Sequence, residues 1–181
     1  MTDDEQDLDA GEFSSWLADM QTALRGENDS HVPCDGCTAC CTSSQFVHIG
    51  PDETDTLAHI PPALLFPAPR LPRGHLVLGY DERGHCPMLV DGRCSIYDHR
   101  PRTCRTYDCR VFAATGVRVD EGDASKSAIA RRSGRWRFSY RTDAAREQHE
   151  ALREMAAALD DRQRLSRTQL AVLAVERSPD T

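Results

Sequence analysis

The chain carries eight cysteines, all in its central part, and clustered thiols are the residues here that could do chemistry. Thiolates are soft ligands that select zinc, copper(I) or iron–sulfur clusters. A single free cysteine usually packs as a small apolar residue, but a group this dense indicates a metal site. The candidate metal ligands are Cys34, Cys37, Cys40, Cys41, Cys86, Cys94, Cys104 and Cys109.

The spacing of the first four cysteines narrows the kind of metal site. A C-x2-C-x2-C run can wrap a loop around one compact centre, and ferredoxin-type clusters add a remote Cys that is often followed by Pro. Cys86-Pro87 provides such a pair. Structural zinc more often uses two C-x2-C pairs, and the later cysteines contain none. The spacing slightly favours a cluster, with Cys34, Cys37, Cys40 and Cys86 as one candidate centre.

Cys41 complicates a single site because it directly follows Cys40. Neighbouring side chains diverge on a strand, so we expect the two not to serve one small tetrahedral ion equally well. Cys41 then serves a second centre or is not a ligand. Two four-thiolate zinc sites and one cluster with a thiol network both stay open.

A disulfide scaffold and a dithiol redox motif are the other interpretations of the thiols. The acidic first residues lack the basic start and apolar run of a secretory signal. No stretch approaches the ~18 consecutive apolar residues of a membrane span. We therefore expect a soluble cytoplasmic protein, where thiols stay reduced. The C-x2-C spacing is compatible with redox chemistry, but no thioredoxin-like βαβ context accompanies it.

Four residues near the cysteines could support the ligands through hydrogen bonds. They are His85, His99, Arg105 and Tyr107. For the histidines, an ordinary surface or loop position is the simpler interpretation. Arg105 could donate to a sulfur or to a bound anion, and a structural ion pair is its equally good alternative.

The clearest signal of regular structure is a β-hairpin within the cysteine region. Two apolar runs, residues 86–90 and 93–97, flank Asp91-Gly92, which is a preferred pair for a tight two-residue turn. This places Cys86 and Cys94 on paired strands. A short helix should follow, with Asp98 as a possible cap, carrying Cys104 and ending near Cys109.

At 181 residues the chain should form one small α+β domain: a loop-rich cysteine cluster with a hairpin core, braced by N- and C-terminal helices. We expect a disordered acidic tail (1–10), an N-terminal helix (11–30), a cysteine-cluster domain (31–112), and a basic strand region with helices packing on it (113–181). Further strands are predicted at 45–49, 75–80 and 136–140, and further helices at 51–57, 143–159 and 165–175. Five prolines in 61–74 exclude a long helix or central strand there.

The formal net charge of −7 argues against a generally basic nucleic-acid binder. One stretch of this acidic chain is basic, with six basic residues and no acidic one. It comprises Lys126, Arg131, Arg132, Arg135, Arg137 and Arg141. A solvated basic surface is the simpler interpretation, and a patch for an acidic protein or nucleic acid is the alternative.

The cysteine region resembles the YkgJ-type cysteine-cluster family. The resemblance rests on Cys34-x2-Cys37-x2-Cys40-Cys41, Cys86-Pro87, and Cys94-Ser-Ile-Tyr97-x2-Arg100-Pro101-x2-Cys104-Arg105-x-Tyr107, within residues 34–109. It implies an eight-cysteine domain that chelates zinc or iron. The flagellin lysine methylases are similar in their cysteine-rich part, where an iron–sulfur cluster is implicated, so the resemblance also raises the cluster interpretation.

We therefore predict a cytoplasmic metal-binding protein that holds an iron–sulfur cluster or zinc. A metal-dependent enzyme, acting in methyl transfer or redox chemistry, is the alternative. The chain shows no glycine-rich G-x-G-x-x-G loop for S-adenosylmethionine, so the methylase activity is not carried over. A zinc-stabilised interaction module that uses the basic stretch at 126–141 is the third possibility.

Overall fold

The computed structural model of the protein describes residues 6–30, 32, 36–119, 122–160 and 165–179. The chain divides into two compact units. The first unit combines Met1–His31 with Asp108–Thr181, and the second is the contiguous segment Val32–Tyr107. None of the described helices has the length and apolar character needed to cross a membrane.

Short strands and helices are interspersed along the chain, as expected for an α+β protein. In order they are β1 (Leu8–Glu12), α1 (Phe13–Leu24), β2 (Val47–Ile49), α2 (Thr54–His59), β3 (Leu65–Pro67), β4 (Leu76–Leu78), β5 (Leu89–Val90), β6 (Arg93–Cys94), α3 (Arg102–Thr106), α4 (Arg110–Thr115), α5 (Ser127–Ser133), β7 (Trp136–Ser139), α6 (Asp143–Asp160) and α7 (Arg167–Arg177). Short 3₁₀ turns lie at Pro62–Leu64, Tyr97–His99 and Ala124–Lys126. The predicted α+β class is confirmed.

The first unit is built around the apolar face of α1, which packs with α6 and α7. Phe13 and Leu17 at helical spacing are fully buried, as the pattern predicts. β1 pairs in parallel with β7, so segments more than 100 residues apart meet in one small sheet. The expected tail at residues 1–10 is therefore wrong for Leu8–Ala10, and Met1–Glu5 lie outside the described residues.

A buried carboxylate, Asp108, joins three parts of the first unit. Its Oδ2 accepts hydrogen bonds from Trp16 Nε1 at 2.9 Å and from Ser30 Oγ at 3.2 Å. It also pairs with the Arg110 guanidinium at 2.7 Å. A buried charge is costly unless it is paired and hydrogen-bonded, and these donors meet that condition.

The second unit contains a three-stranded antiparallel sheet in the order β2-β4-β3. Its small core contains Val47, Ile49, Ile60, Leu78, Met88 and Ile96, and the partly buried Cys86, Cys94 and Cys104 pack against it. β3 ends in Pro67 and lies at the edge of the sheet, where the missing N–H breaks no ladder. The exclusion of a long helix or central strand at 61–74 is thus confirmed.

The predicted hairpin forms, but it is shorter than expected. β5 and β6 contribute two residues each, with Leu89 opposite Cys94. Asp91 and Gly92 both have positive φ, 49° and 74°, as a tight hairpin turn requires. Cys86 precedes β5 in a turn, so its predicted place on a strand is wrong.

The helix predicted after the hairpin is also corrected at both ends. A 3₁₀ turn forms at Tyr97–His99, and α3 begins only after Pro101, with no side-chain cap from Asp98. Pro101 explains the break, since it disfavours helical backbone in the residue before it. Cys104 lies on α3 as predicted, whereas Cys109 lies immediately before α4. The packing of residues 113–181 on the cysteine region stays a prediction.

Candidate metal centre

None of the seven described cysteines forms a disulfide: Cys37, Cys40, Cys41, Cys86, Cys94, Cys104 and Cys109. Cys34 lies outside the described residues. The described cysteines therefore form no disulfide scaffold.

Cys40 and Cys41 present their sulfurs to the same side, with 3.9 Å between the two Sγ atoms. The expectation that these side chains diverge is wrong, because it assumed a strand. Their segment is a turn, in which Thr42 N donates to Thr38 O at 3.0 Å and Ser43 Oγ donates to Ala39 O at 2.6 Å. The turn folds the backbone so that adjacent thiols can face one centre.

Backbone hydrogen bonds hold this turn against the segment that carries Cys86. Cys86 N donates to Cys41 O at 2.7 Å, and Ser44 N donates to Gly84 O at 2.9 Å. A Cβ on Gly84 would overlap Ser44, so glycine permits this close approach. Two cysteine-bearing segments that are distant in sequence are thereby fixed side by side.

The hairpin and α3 add two further thiols to the second unit. Ser95 donates through both N and Oγ to Met88 O, which fixes the residue next to Cys94 against the start of the hairpin. Thr103 Oγ1 donates to His48 O at 2.8 Å and ties α3, with Cys104, to β2. Each cysteine segment is therefore anchored by hydrogen bonds to its neighbours in the unit.

Three other thiols of the second unit act on the electrostatics of Cys104. Desolvation raises the pKa of the Cys104 thiol to about 12, and the charges of Cys40, Cys86 and Cys94 act in the same direction. The positive charge of Arg100 opposes them. Thiolates here would repel one another, so a cation bound among them would relieve a specific unfavourable charge arrangement.

The pKa values of two of these thiols, Cys40 and Cys86, are themselves raised. The hydrogen bond with Cys41, followed by desolvation, raises the pKa of the Cys40 thiol well above its usual range. Desolvation also raises the pKa of Cys86, and the backbone N–H groups of Met88 and Leu89 near its sulfur oppose the shift. Such N–H donors suit a metal-bound thiolate, because they stabilise its charge without competing for the metal.

One pair of sulfurs has a spacing compatible with a shared metal ion. Two thiolates that share one tetrahedral ion, with metal–sulfur bonds of about 2.3 Å, have sulfurs about 3.8 Å apart. The 3.9 Å between Cys40 and Cys41 matches that spacing. Soft sulfur donors select zinc or iron over magnesium or calcium.

The four predicted supporting residues lie in different surroundings. His99 Nδ1 contacts the Asp55 carboxylate at 2.8 Å, and His85 N donates to Asp81. Arg105 Nε donates to Arg100 O. Tyr107 directly follows α3 and has a buried hydroxyl. A supporting role for these residues stays a prediction.

Arg100 is the neighbouring cation that the sequence reasoning missed. It opposes the rise in the Cys104 pKa, and its guanidinium lies 3.6 Å from the centroid of the Tyr97 ring. The Ile-Tyr-x2-Arg-Pro pattern contained the signal, because an arginine three residues after a tyrosine can fold back on its ring.

Cys109 belongs to the first unit. Its sulfur accepts a hydrogen bond from Trp136 Nε1 at 3.2 Å. Cys37 lies just before the turn that carries Cys40. For Cys34, Cys37 and Cys109, a place among the metal ligands stays a prediction.

The basic stretch is partly occupied by contacts within the first unit. Arg137 pairs with Asp7 at 3.0 Å, and Arg135 Nε donates to Gln6 O at 2.6 Å. These bonds compete with an external acidic partner, so they lend no support to the interaction-module alternative.

Comparison with known proteins identifies the family. Residues 33–128, more than half of the chain, match the family model described as "CxxCxxCC: Putative zinc- or iron-chelating domain". Curated proteins and solved structures give no significant match. The matched segment contains all eight cysteines, including the thiols that the structure gathers in the second unit. The chain therefore belongs to the CxxCxxCC family of zinc- or iron-chelating domains.

Proposed function

We propose that the protein chelates iron as an iron–sulfur cluster through a polynuclear thiolate centre in its second unit. The described ligands would come from Cys40, Cys41, Cys86, Cys94 and Cys104, with Cys34 and Cys37 as further candidates. A reducing compartment such as the cytoplasm would keep these thiols available for metal.

The number of neighbouring thiols is the observation that supports this proposal. Cys104 interacts with Cys40, Cys86 and Cys94, and Cys41 lies 3.9 Å from Cys40, sulfur to sulfur. These five thiols exceed the four ligands of a single tetrahedral zinc ion. A centre with more than one metal atom can use the surplus, and the C-x2-C-x2-C run is typical of iron–sulfur ligation.

Anaerobic purification followed by visible absorption, metal analysis and sulfide analysis on one sample tests the proposal. We expect a brown protein with iron and acid-labile sulfide. A colourless protein with two zinc ions would retain the thiolate centre but contradict the choice of iron. A protein without stoichiometric metal would contradict chelation itself.

A matched pair of variants tests the ligand assignment. Cys104→Ser should lose metal and lower the melting temperature, because bound metal also contributes to the free energy of folding. Ser95→Ala, which removes a hydroxyl beside Cys94 and no thiol, should keep its metal. Its stability should fall by only about 0.5–1.5 kcal/mol, from the lost hydrogen bond to Met88. Equal metal contents in the two variants would refute the assignment of Cys104.

A further inference from the structure

A second group of metal-ligating side chains lies in the second unit and contains no cysteine. Asp55, His59 and His99 each offer one ligand atom, and these three atoms all lie within 4.8 Å of one another. His99 Nδ1 is 2.8 Å from Asp55 Oδ2, and His59 Nδ1 is 3.8 Å from Asp55 Oδ1. The group is therefore compact enough to surround one ion.

Two elements of secondary structure bring the three residues together. Asp55 and His59 are four residues apart on α2, so they lie on one face of that helix. His99 comes from the 3₁₀ turn at Tyr97–His99, which packs on α2. The group thus joins residues that are 44 positions apart in sequence.

The start of α2 is itself held in place by a buried carboxylate. Glu53, 8% exposed, accepts from Gly50 N at 2.8 Å and from Arg102 N at 2.5 Å. The residues flanking α2 and α3 are thereby tied together. A site that rests on anchored elements loses little conformational entropy when it binds an ion.

The imidazole rings of His59 and His99 are stacked, with centroids 3.5 Å apart and an angle of 6° between their planes. Parallel rings direct their lone pairs side by side, so shared coordination of one ion requires rotation about the side-chain torsions. Such rotation breaks the 2.8 Å contact of His59 Nδ1 with the Asp55 carbonyl oxygen or that of His99 Nδ1 with the Asp55 carboxylate. The side chains, 40% and 39% exposed, leave space for it. A small rotation of each ring would therefore direct one nitrogen of His59 and one of His99 toward the same ion beside the Asp55 carboxylate.

The charge at the group favours a cation. Asp55 supplies a carboxylate, which ordinarily carries a negative charge at neutral pH, and His99 Nδ1 contacts it at 2.8 Å. Neutral imidazoles and one carboxylate are the donors of many zinc sites and of the two-histidine, one-carboxylate iron(II) site. Magnesium and calcium prefer sites made wholly of oxygen donors.

We propose that Asp55, His59 and His99 bind one divalent transition-metal ion, such as Zn²⁺ or Fe²⁺, at a site that uses none of the cysteines. Three protein ligands leave coordination positions open to water or to a small anion. The site is therefore of the open kind, unlike a closed structural site with four protein ligands.

Zinc titration of histidine-labelled protein tests this site directly, because the imidazole ¹⁵N resonances report coordination at each ring regardless of what the cysteines bind. The full-length protein, purified anaerobically, is titrated with Zn²⁺ while these resonances are recorded. We expect the ring signals of His59 and His99 to shift together and to saturate at one ion per site. Those of His48 and His75 should stay in place.

Three variants and a matched control complete the test. Asp55→Asn, His59→Gln and His99→Gln should each weaken zinc binding at the remaining rings by more than the roughly 10–100-fold that loss of a supporting residue outside the ligands causes. His75→Gln is the control, since His75 also forms a half-buried stacked pair, with His48, at a ring-nitrogen distance of 2.9 Å. It should leave the zinc affinity of the site unchanged.

The backbone amide spectrum of each variant verifies that it is folded, so an affinity loss can be assigned to the site. Ring signals of His59 and His99 that do not respond to zinc in the wild-type protein would overturn the proposal. Unchanged zinc affinity in Asp55→Asn, or an equal loss in His75→Gln, would overturn it as well.

Discussion

Replacing Gly92 by alanine should destabilise the second unit through the backbone alone. Gly92 has a φ of +74° in the tight turn of the hairpin, and no atom lies within 4 Å of the place where a Cβ would stand. An L-residue in this left-handed conformation costs roughly 1–2 kcal/mol, and no steric overlap adds to that figure here. We therefore expect the free energy of unfolding to fall by about 1–2 kcal/mol.

The same backbone strain should lower the affinity for metal if the hairpin forms only together with the metal centre. The turn sets Cys94 opposite Leu89 and close to the segment of Cys86. When binding and folding are coupled, the strain is subtracted from the binding free energy. A loss of about 1–2 kcal/mol corresponds to roughly 5–30-fold weaker binding.

Urea denaturation, with and without metal, measures both effects. Gly79→Ala is the matched control, because Gly79 lacks a positive φ and its Cβ would meet ring carbons of Phe46 and Phe66 at ordinary contact distances of 3.6–3.8 Å. It should change stability by less than Gly92→Ala does. A Gly92→Ala protein as stable as the wild type would refute the turn geometry. Lost stability with unchanged metal affinity would show that the hairpin forms without metal.

Two further predictions follow from the pKa shifts. In metal-free protein, the Cys104 thiol with its pKa of about 12 should carry about 1000-fold less thiolate at pH 8 than an ordinary cysteine at 9.0, so iodoacetamide should label it correspondingly slowly. Mass spectrometry of the labelled peptides measures this, and labelling at the rate of a free cysteine peptide would contradict it. Desolvation lowers the pKa of His149, so the unfolded state binds more protons and the first unit should lose stability as pH falls through 6.5. His149→Gln should flatten this dependence in thermal melts, and an unchanged pH dependence in that variant would contradict it.

The sequence predicted the elements whose signals are local. Asp91-Gly92 predicts a tight turn because few other residue pairs accept two positive φ values in succession. The helical spacing of Phe13 and Leu17 predicts α1 in the same way, since its apolar face must be buried. The cysteine spacing likewise identified the thiols before any geometry was known.

The features that could not be predicted from the sequence arise from contacts between distant segments or from turns without a residue signature. β1 has no apolar alternation of its own and becomes a strand by pairing with β7, whose partner residues lie more than 100 positions away. The approach of Cys41 to Cys40 depends on a turn that the residue types do not specify. The grouping of Asp55 and His59 with His99 could not be predicted either, because His99 lies 44 positions from Asp55 in the sequence.

The contiguity of the second unit affects the order in which the chain can fold during synthesis. Val32–Tyr107 can be complete while the ribosome is still adding later residues, whereas β1 must wait for β7, which ends roughly 30 residues further on. At about 5–20 residues per second, that interval is on the order of 2–6 s. The thiols of the nascent second unit are therefore exposed to the cell's metal pool before the first unit can close its sheet. Metal supply at the moment of translation, and not only at equilibrium, would then influence how much of the protein is loaded.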